Sequence, residues 1–282
     1  MFTKQKYGIV EELKKSVLLL PAVIVLLCFF IVPIILTIYY SFTNLALSGS
    51  NAQNLQFVGL SNYKRMLTDP TTITSIKNTL IFLVGSLAGQ TILGFRSVVG
   101  PCFLIGWVMP EIVVALCFMA FFKENGTLNA ILGIVGVRNI SWLYEHPMLS
   151  VIIANIWHGT AFSMLNFQSA LDNVSGDIEE AARVDGANRV QVLWKIIIPC
   201  IKDTIATNIM LNTLSTLGVY GLIYAMTGGG PANKTTTLPI YMYNQGLKGM
   251  QLGFGTAIGM LILFVGVICS ILYTRILGTK EK

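Results

Sequence analysis

Six unbroken apolar runs constrain this chain more than any other feature. They fall near Val17–Tyr40, Asn78–Phe95, Pro101–Phe122, Ser150–Leu171, Ile196–Met226 and Leu252–Leu277. A helix needs about 20 apolar residues to cross the hydrocarbon of a bilayer, so each run is a candidate span. The fifth is long enough to include an interfacial turn. Because the runs are continuous rather than alternating, they predict helices and not barrel strands. Only 11% of the 282 residues are charged and 54% are apolar, whereas a soluble domain has roughly a quarter of its residues charged. Lipid must therefore cover most of the surface. The expected class is an all-α integral membrane protein, residues 1–282 forming one transmembrane domain of six helices.

The net charge of +6 does not point to nucleic acid, because Lys and Arg are dispersed and form no stripe with aromatics. The five cysteines, Cys28, Cys102, Cys117, Cys200 and Cys269, lie in or beside apolar runs without a CxxC pair. They read as buried thiols rather than a disulfide or zinc set. The first run is too long for a signal-peptide core, and "YYSFTN" after it makes a poor cleavage site.

An even number of spans puts both termini on one side. Lys4, Lys6, Lys14 and Lys15 precede the first span, and Arg275, Lys280 and Lys282 lie at the end of the last or after it. Arg183, Arg189, Lys195 and Lys202 follow the fourth. The opposite loops are longer yet poorer in basic residues. By the positive-inside rule, both termini and residues 177–199 are cytoplasmic.

That cytoplasmic segment, "DIEEAARVDGANRVQVLWKIIIP", is charged and helix-forming where its surroundings are apolar. Asp177 is placed to cap a helix with Glu180 as capping-box partner. Gly186 supplies a left-handed residue to end it. Val190, Leu193 and Ile197 then repeat at helical spacing, so the segment predicts helix, glycine turn, helix with an apolar ridge flanked by charge. An amphipathic connector lying in the headgroups is the plainer alternative.

The spacing of Glu180-Ala181-Ala182, Asp185-Gly186-Ala187, Ile196 and Pro199 resembles the EAA loop of permease subunits in ATP-binding-cassette importers. "SFTN" after the first span, "FVGLSNYKRML" before the second and "LIYAMTGGGPANKTTTLPIYMYNQGL" after the fifth are similar to the maltose- and glycerol-phosphate-type carbohydrate permeases, the first permease of the pair more than the second. The resemblance implies a type I importer permease in the cytoplasmic membrane of a prokaryote. It implies a second permease as heterodimer partner, two cytoplasmic ATPase subunits, an extracytoplasmic solute-binding protein and a carbohydrate substrate, with no cofactor on this chain. Carried over by residue, Glu180, Ala181, Ala182, Asp185 and Gly186 form the ATPase-docking coupling helix, with Leu193 and Ile196 behind it. Tyr220-Gly221 departs from the Phe-Asp common in the family, which puts substrate identity in doubt. Another departure is "TILGFRSVVGPCF", which joins the second and third runs without the family's longer helix end and basic loop. Either Gly94 to Pro101 makes a tight turn or residues are missing from this sequence. The shortness of the second run favours missing residues.

For the solute path, Asn208, Asn212 and Ser215 share one face of the fifth span, and Asn155, Gly159 and Asn166 one face of the fourth. Buried amides need partners, which a hydroxyl-rich solute can supply as well as a neighbouring helix can. Tyr220 and Trp157 are candidates to stack on a sugar ring. Asn155, Asn208, Asn212 and Tyr220 are the expected substrate contacts.

Rival readings are weaker. "GGGPANKT" lacks the glycine that a phosphate loop places before its lysine, has Pro231 inside it, and is expected outside the cell, so it reads as a structural turn. Glu111 and His158 lie within spans, but no HExxH or GxSxG accompanies them, which argues against an intramembrane enzyme. Glu111 must face protein or water. No half-to-half repeat supports an ion-coupled carrier.

Overall fold

A computed structural model describes residues 19–94 and 106–277. Among these residues the protein is helical, with one isolated antiparallel bridge between Thr43 and Phe57. In chain order, the elements that matter are α1 (Leu19–Ser41), α2 (Ser61–Thr68), α3 (Pro70–Gly94), α4 (Glu111–Phe121), α5 (Thr127–Ile134) and α6 (Pro147–Asp172). They continue as α7 (Gly176–Val184), α8 (Arg189–Val192), α9 (Lys202–Leu217), α10 (Gly221–Met226), α11 (Leu238–Tyr243) and α12 (Leu252–Leu277).

Of the described helices, α1, α3, α6 and α12 are long and apolar enough to cross a membrane. Their burial differs. α6 is the central helix, with half of its most apolar stretch buried, whereas none of the corresponding stretch of α1 is buried. α1 packs on α12 alone among the long helices and presents apolar side chains such as Leu27, Phe29 and Phe30 outward. Lipid or another apolar surface must cover them.

α3 and α6 make the most extensive helix–helix contact among the described residues. Gly85 and Gly89, four residues apart, face Ile152 and Ile156 of α6; a Cβ at Gly89 would lie 2.3 Å from the Ile156 Cδ1. Small residues at this spacing let two membrane helices pack backbone to backbone, since lipid provides no hydrophobic drive between them.

The predicted runs differ from the helices where polar residues intervene. α3 begins at Pro70, eight residues ahead of the expected Asn78, because Thr72, Ser75, Asn78 and Thr79 are buried rather than solvated. Asn78 donates to the backbone carbonyls of Asn233 (2.8 Å) and Thr236 (3.1 Å), and Thr79 accepts from the Leu238 amide (2.9 Å). The "GGGPANKTTT" segment is thus a turn locked to α3, with Thr235, Thr236 and Thr237 buried and no helix until α11. At 25 residues α3 is long enough to span, so the premise of a short second helix fails; the 95–101 part of the link lies outside the described residues.

The run Ile196–Met226 is not one helix. It breaks at Ile201 and again over residues 218–220, giving α9 and then the short α10. Within the third run, α4 starts only at Glu111, after Pro110 at its N-cap. Two π turns, Leu27–Ile31 and Leu193–Ile197, each end two residues before a proline, Pro33 and Pro199. The widened turn makes room where the proline ring would press on the carbonyl four residues back. The described cysteines, Cys28, Cys117, Cys200 and Cys269, are free thiols, and Cys28, Cys117 and Cys200 are exposed on the apolar surface rather than buried as expected.

Candidate functional site: a polar cavity and a cytoplasmic hairpin

α3, α4, α6 and α9 enclose a cavity of about 360 Å³, within the range of small-molecule sites. Gln90 of α3, Glu111 of α4, Asn155 and His158 of α6, and Asn212 and Ser215 of α9 line it, with Trp107 and Phe162 forming an aromatic wall. The Gln90 amide lies against Gly159, where any side chain would collide with it, and donates to the Asn155 carbonyl at 2.9 Å. Gln90 Oε1 and Asn155 Nδ2 are buried and have no protein partner. Leaving a buried polar group unpaired costs about 1–3 kcal/mol, so such atoms mark where something else must bind.

Behind Asn212 lies a closed cluster. Its Nδ2 donates to Ser163 Oγ (2.8 Å) and to Asn208 Oδ1 (2.9 Å), and Ser163 Oγ donates to Asn208 Oδ1 (3.1 Å). Asn208 Nδ2 remains unpaired. Of the expected substrate contacts, Asn155 and Asn212 therefore reach one cavity, while Asn208 sits behind it as a support. Tyr220 is elsewhere. It stacks on Tyr224 (5.2 Å between ring centres) and meets Tyr243 (4.9 Å), lining a separate apolar cleft with Pro239, Met242 and Leu247. Trp157 packs against Gly106 and Phe118 as part of the core.

Neither ionisable residue is arranged for catalysis. His158 Nδ1 lies 2.9 Å from the Gly106 carbonyl; a carbonyl only accepts, so Nδ1 carries the proton and the contact is structural. Glu111 lines the cavity, and its Oε2 would lie 2.8 Å from a Cβ at residue 221. Gly221 leaves the room that the Glu111 carboxylate occupies. Gln90 and Ser163 were not singled out by sequence. An amide within an apolar run was the available signal for Gln90, but nothing marked Ser163.

At the other end of α6 the chain folds into a hairpin. α7 starts at Gly176, which puts Asp177 inside its first turn, so the expected Asp177–Glu180 capping box is not how this helix begins. It ends with the Asp185 amide on the Ala181 carbonyl (3.0 Å) and the Ala187 amide on that of Ala182 (3.0 Å), Gly186 having φ +81°. The six-to-one bond to Ala182 around a left-handed glycine is a Schellman motif. A capping box does occur, at the next helix. The Asn188 side chain accepts from the Gln191 amide and the Gln191 side chain from the Asn188 amide, both at 2.9 Å. Of the expected docking residues, Glu180, Ala181, Asp185, Gly186 and Leu193 are exposed and Ile196 is half-buried. Ala182 is buried, as is Val192, so its side chain closes the hairpin and does not offer a surface. Sequence periodicity missed the most exposed apolar side chains beside Val190 (64% exposed): Val184 at 87% and Trp194 at 65%.

The profile of the family described as "Binding-protein-dependent transport system inner membrane component" matches residues 70–280. The chain belongs to that family. The permease is 29% identical to the sulfoquinovosyl glycerol transport system permease protein SmoG of Agrobacterium fabrum, over 96% of this chain and 92% of that protein. It is 30% identical to the trehalose/maltose transport system permease protein MalF of Thermococcus litoralis, over 92% of each. Its fold matches a chain of the crystal structure of a bacterial ABC transporter involved in the import of the acidic polysaccharide alginate, with a TM-score of 0.76 and 22% identity over 95% of this chain and 97% of that one. The permease thus has the type I importer fold and is a multi-pass membrane component of a binding-protein-dependent importer, a transport subunit and not an enzyme.

Proposed function

We propose that the permease moves a carbohydrate or closely related polyhydroxylated solute through the cavity between α3, α4, α6 and α9. The observation behind this is that Gln90 and Asn155, two residues lining a cavity with an aromatic wall, each keep a buried amide atom, Gln90 Oε1 and Asn155 Nδ2, without a protein partner. Hydroxyls both donate and accept, so they satisfy either atom, and a sugar ring presents an apolar face to Trp107 and Phe162. The curated relatives include permeases named for trehalose/maltose and for sulfoquinovosyl glycerol, which fits the same class.

The hairpin 176–200 acts as the coupling helix. Its local hydrogen bonding is complete, so it is a preformed unit, yet Val184, Val190 and Trp194 are uncovered. A groove on a cytoplasmic ATPase is the partner for such a ridge. In this reading two ATPase subunits hydrolyse ATP, a second permease completes the pathway, and an external binding protein delivers solute. Both termini and the hairpin face the cytoplasm across the inner membrane. Closure of the ATPases rocks the helices between outward- and inward-open states. Uptake of labelled saccharides into vesicles holding the copurified complex tests this: uptake should require internal ATP. Uptake driven by an ion gradient without the ATPase would sink the reading in favour of a secondary carrier.

A further inference from the structure

The cavity contains one feature that hydroxyl recognition does not require. Glu111 is the first residue of α4 and its carboxylate lies at the cavity wall, in the space left by Gly221. Among the described residues no Lys or Arg lines the cavity, and its other ionisable lining residue, His158, is engaged with the Gly106 carbonyl. The N-terminus of an eleven-residue helix stabilises a negative charge at this position. In a low-dielectric site an uncompensated carboxylate attracts cations and repels anions over several ångströms.

We propose that Glu111 makes this cavity selective by charge: hydroxylated solutes that are neutral or carry an amine pass, while solutes bearing a carboxylate or sulfonate are held out. The inference rests on the carbohydrate reading for its solute class. The fold itself does not set this preference, since a chain of an importer of acidic alginate shares it. Gln90 and Asn155 are neutral, and so are Asn212 and Ser215, so the charge at the wall comes from Glu111.

The test uses the assembled transporter with the five native cysteines replaced and one introduced at Ser215, which lines the cavity and is exposed to it. Labelling rates with cationic and anionic methanethiosulfonate reagents are compared, each normalised to Asn51→Cys on the exposed short helix Ser50–Gln53. The normalised preference for the cation at Ser215→Cys should be about tenfold, and Glu111→Gln should abolish it. Equal rates for the two reagents in the parent would overturn the proposal, as would a preference that survives Glu111→Gln. Should Glu111→Gln not assemble, the parent ratio at Ser215 against Asn51 still decides. Since the reagents are not sugars, a failure of the carbohydrate reading leaves this measurement intact. Transport of acidic and neutral saccharides at equal rates, with the labelling preference present, would show that the field does not select solutes and would also overturn the inference.

Discussion

The cavity and the cytoplasmic hairpin are built in opposite ways. At the cavity, polar atoms go without partners: Gln90 Oε1, Asn155 Nδ2 and, behind them, Asn208 Nδ2. In the hairpin, the Schellman bonds and the capping box complete both helix junctions, and it is apolar side chains that go uncovered. Each deficit names the kind of partner that corrects it. Unpaired amides call for a hydroxylated solute, and bare Val184, Val190 and Trp194 call for a protein groove. One chain thus has a polar-lined cavity between its helices and an apolar surface on its hairpin.

The largest effect expected is at the hairpin. Gly186→Val has open space around the new side chain, so only the left-handed backbone resists it, by roughly 1–2 kcal/mol. Since that turn aims both short helices, ATP-driven uptake should fall to background while membrane insertion stays normal. Gly186→Asn, which tolerates the same backbone, should keep most uptake. Wild-type uptake by the valine variant at matched expression would end the coupling assignment.

Next comes the cavity support. Replacing Asn208 and Asn212 together by Leu removes the cluster around Ser163 and should lower transport about tenfold, with assembly and basal ATPase activity retained, since leucine inserts readily. Disassembly of the complex would make the cluster a purely structural one, because breaking buried hydrogen bonds costs about 1–3 kcal/mol each. Unchanged transport would remove both residues from the pathway.

A smaller effect is expected from Glu180→Lys, which reverses one exposed charge on the hairpin. A defect of a few-fold in uptake, relieved by a compensating acidic change on the ATPase, fits interface charges acting mainly on encounter and register. No change in either uptake or ATPase retention would place Glu180 off the docking surface.

The smallest effect comes from a region away from both the cavity and the hairpin. Tyr241 donates a short hydrogen bond to Asp69 at the start of α3, near Arg65, which lies 4.0 Å over the Phe254 ring. Burial works to raise the Asp69 carboxyl, but Tyr241, Thr71 and the Arg65 charge hold it below the ordinary range. Burial first, and then the bond to Asp69, push the Tyr241 hydroxyl up to about 12. The folded carboxyl is the stronger acid, so its stabilisation is present above the unfolded value near pH 4 and is lost as pH falls through the lower, folded value. Asp69→Asn should flatten the melting temperature between about pH 5 and 3 and leave transport unchanged. A transport defect there would place Asp69 in the transport cycle rather than in stability alone.

Local patterns were legible wherever one turn of chain decides the outcome. Gly186 was readable as a helix stop because a left-handed residue is needed at a helix end, and apolar runs announced the four long helices α1, α3, α6 and α12. The interruption at residues 218–220 and the early start of α3 were not, since each depends on polar residues meeting a distant element. Asn78 reads as the edge of the second run until its partners at Asn233 and Thr236 show it to lie well inside α3. Asn155 and Asn212, placed by helical face, line one cavity, whereas Tyr220, chosen as an aromatic able to stack on a sugar ring, is turned by the break before α10 towards Tyr224 and Tyr243.

The sequence by itself determined the solvent of this protein, the helical class and the hairpin's turn, because hydropathy over twenty residues and capping over four are properties of contiguous chain. Only the tertiary structure decided where the cavity lies and what it presents. Gln90 is 65 residues from Asn155, and the place of the Glu111 carboxylate depends on a side chain that Gly221 lacks. Such contacts follow from how closely helices approach, which Gly85 and Gly89 set for α3 against α6, and no contiguous stretch of chain encodes that distance.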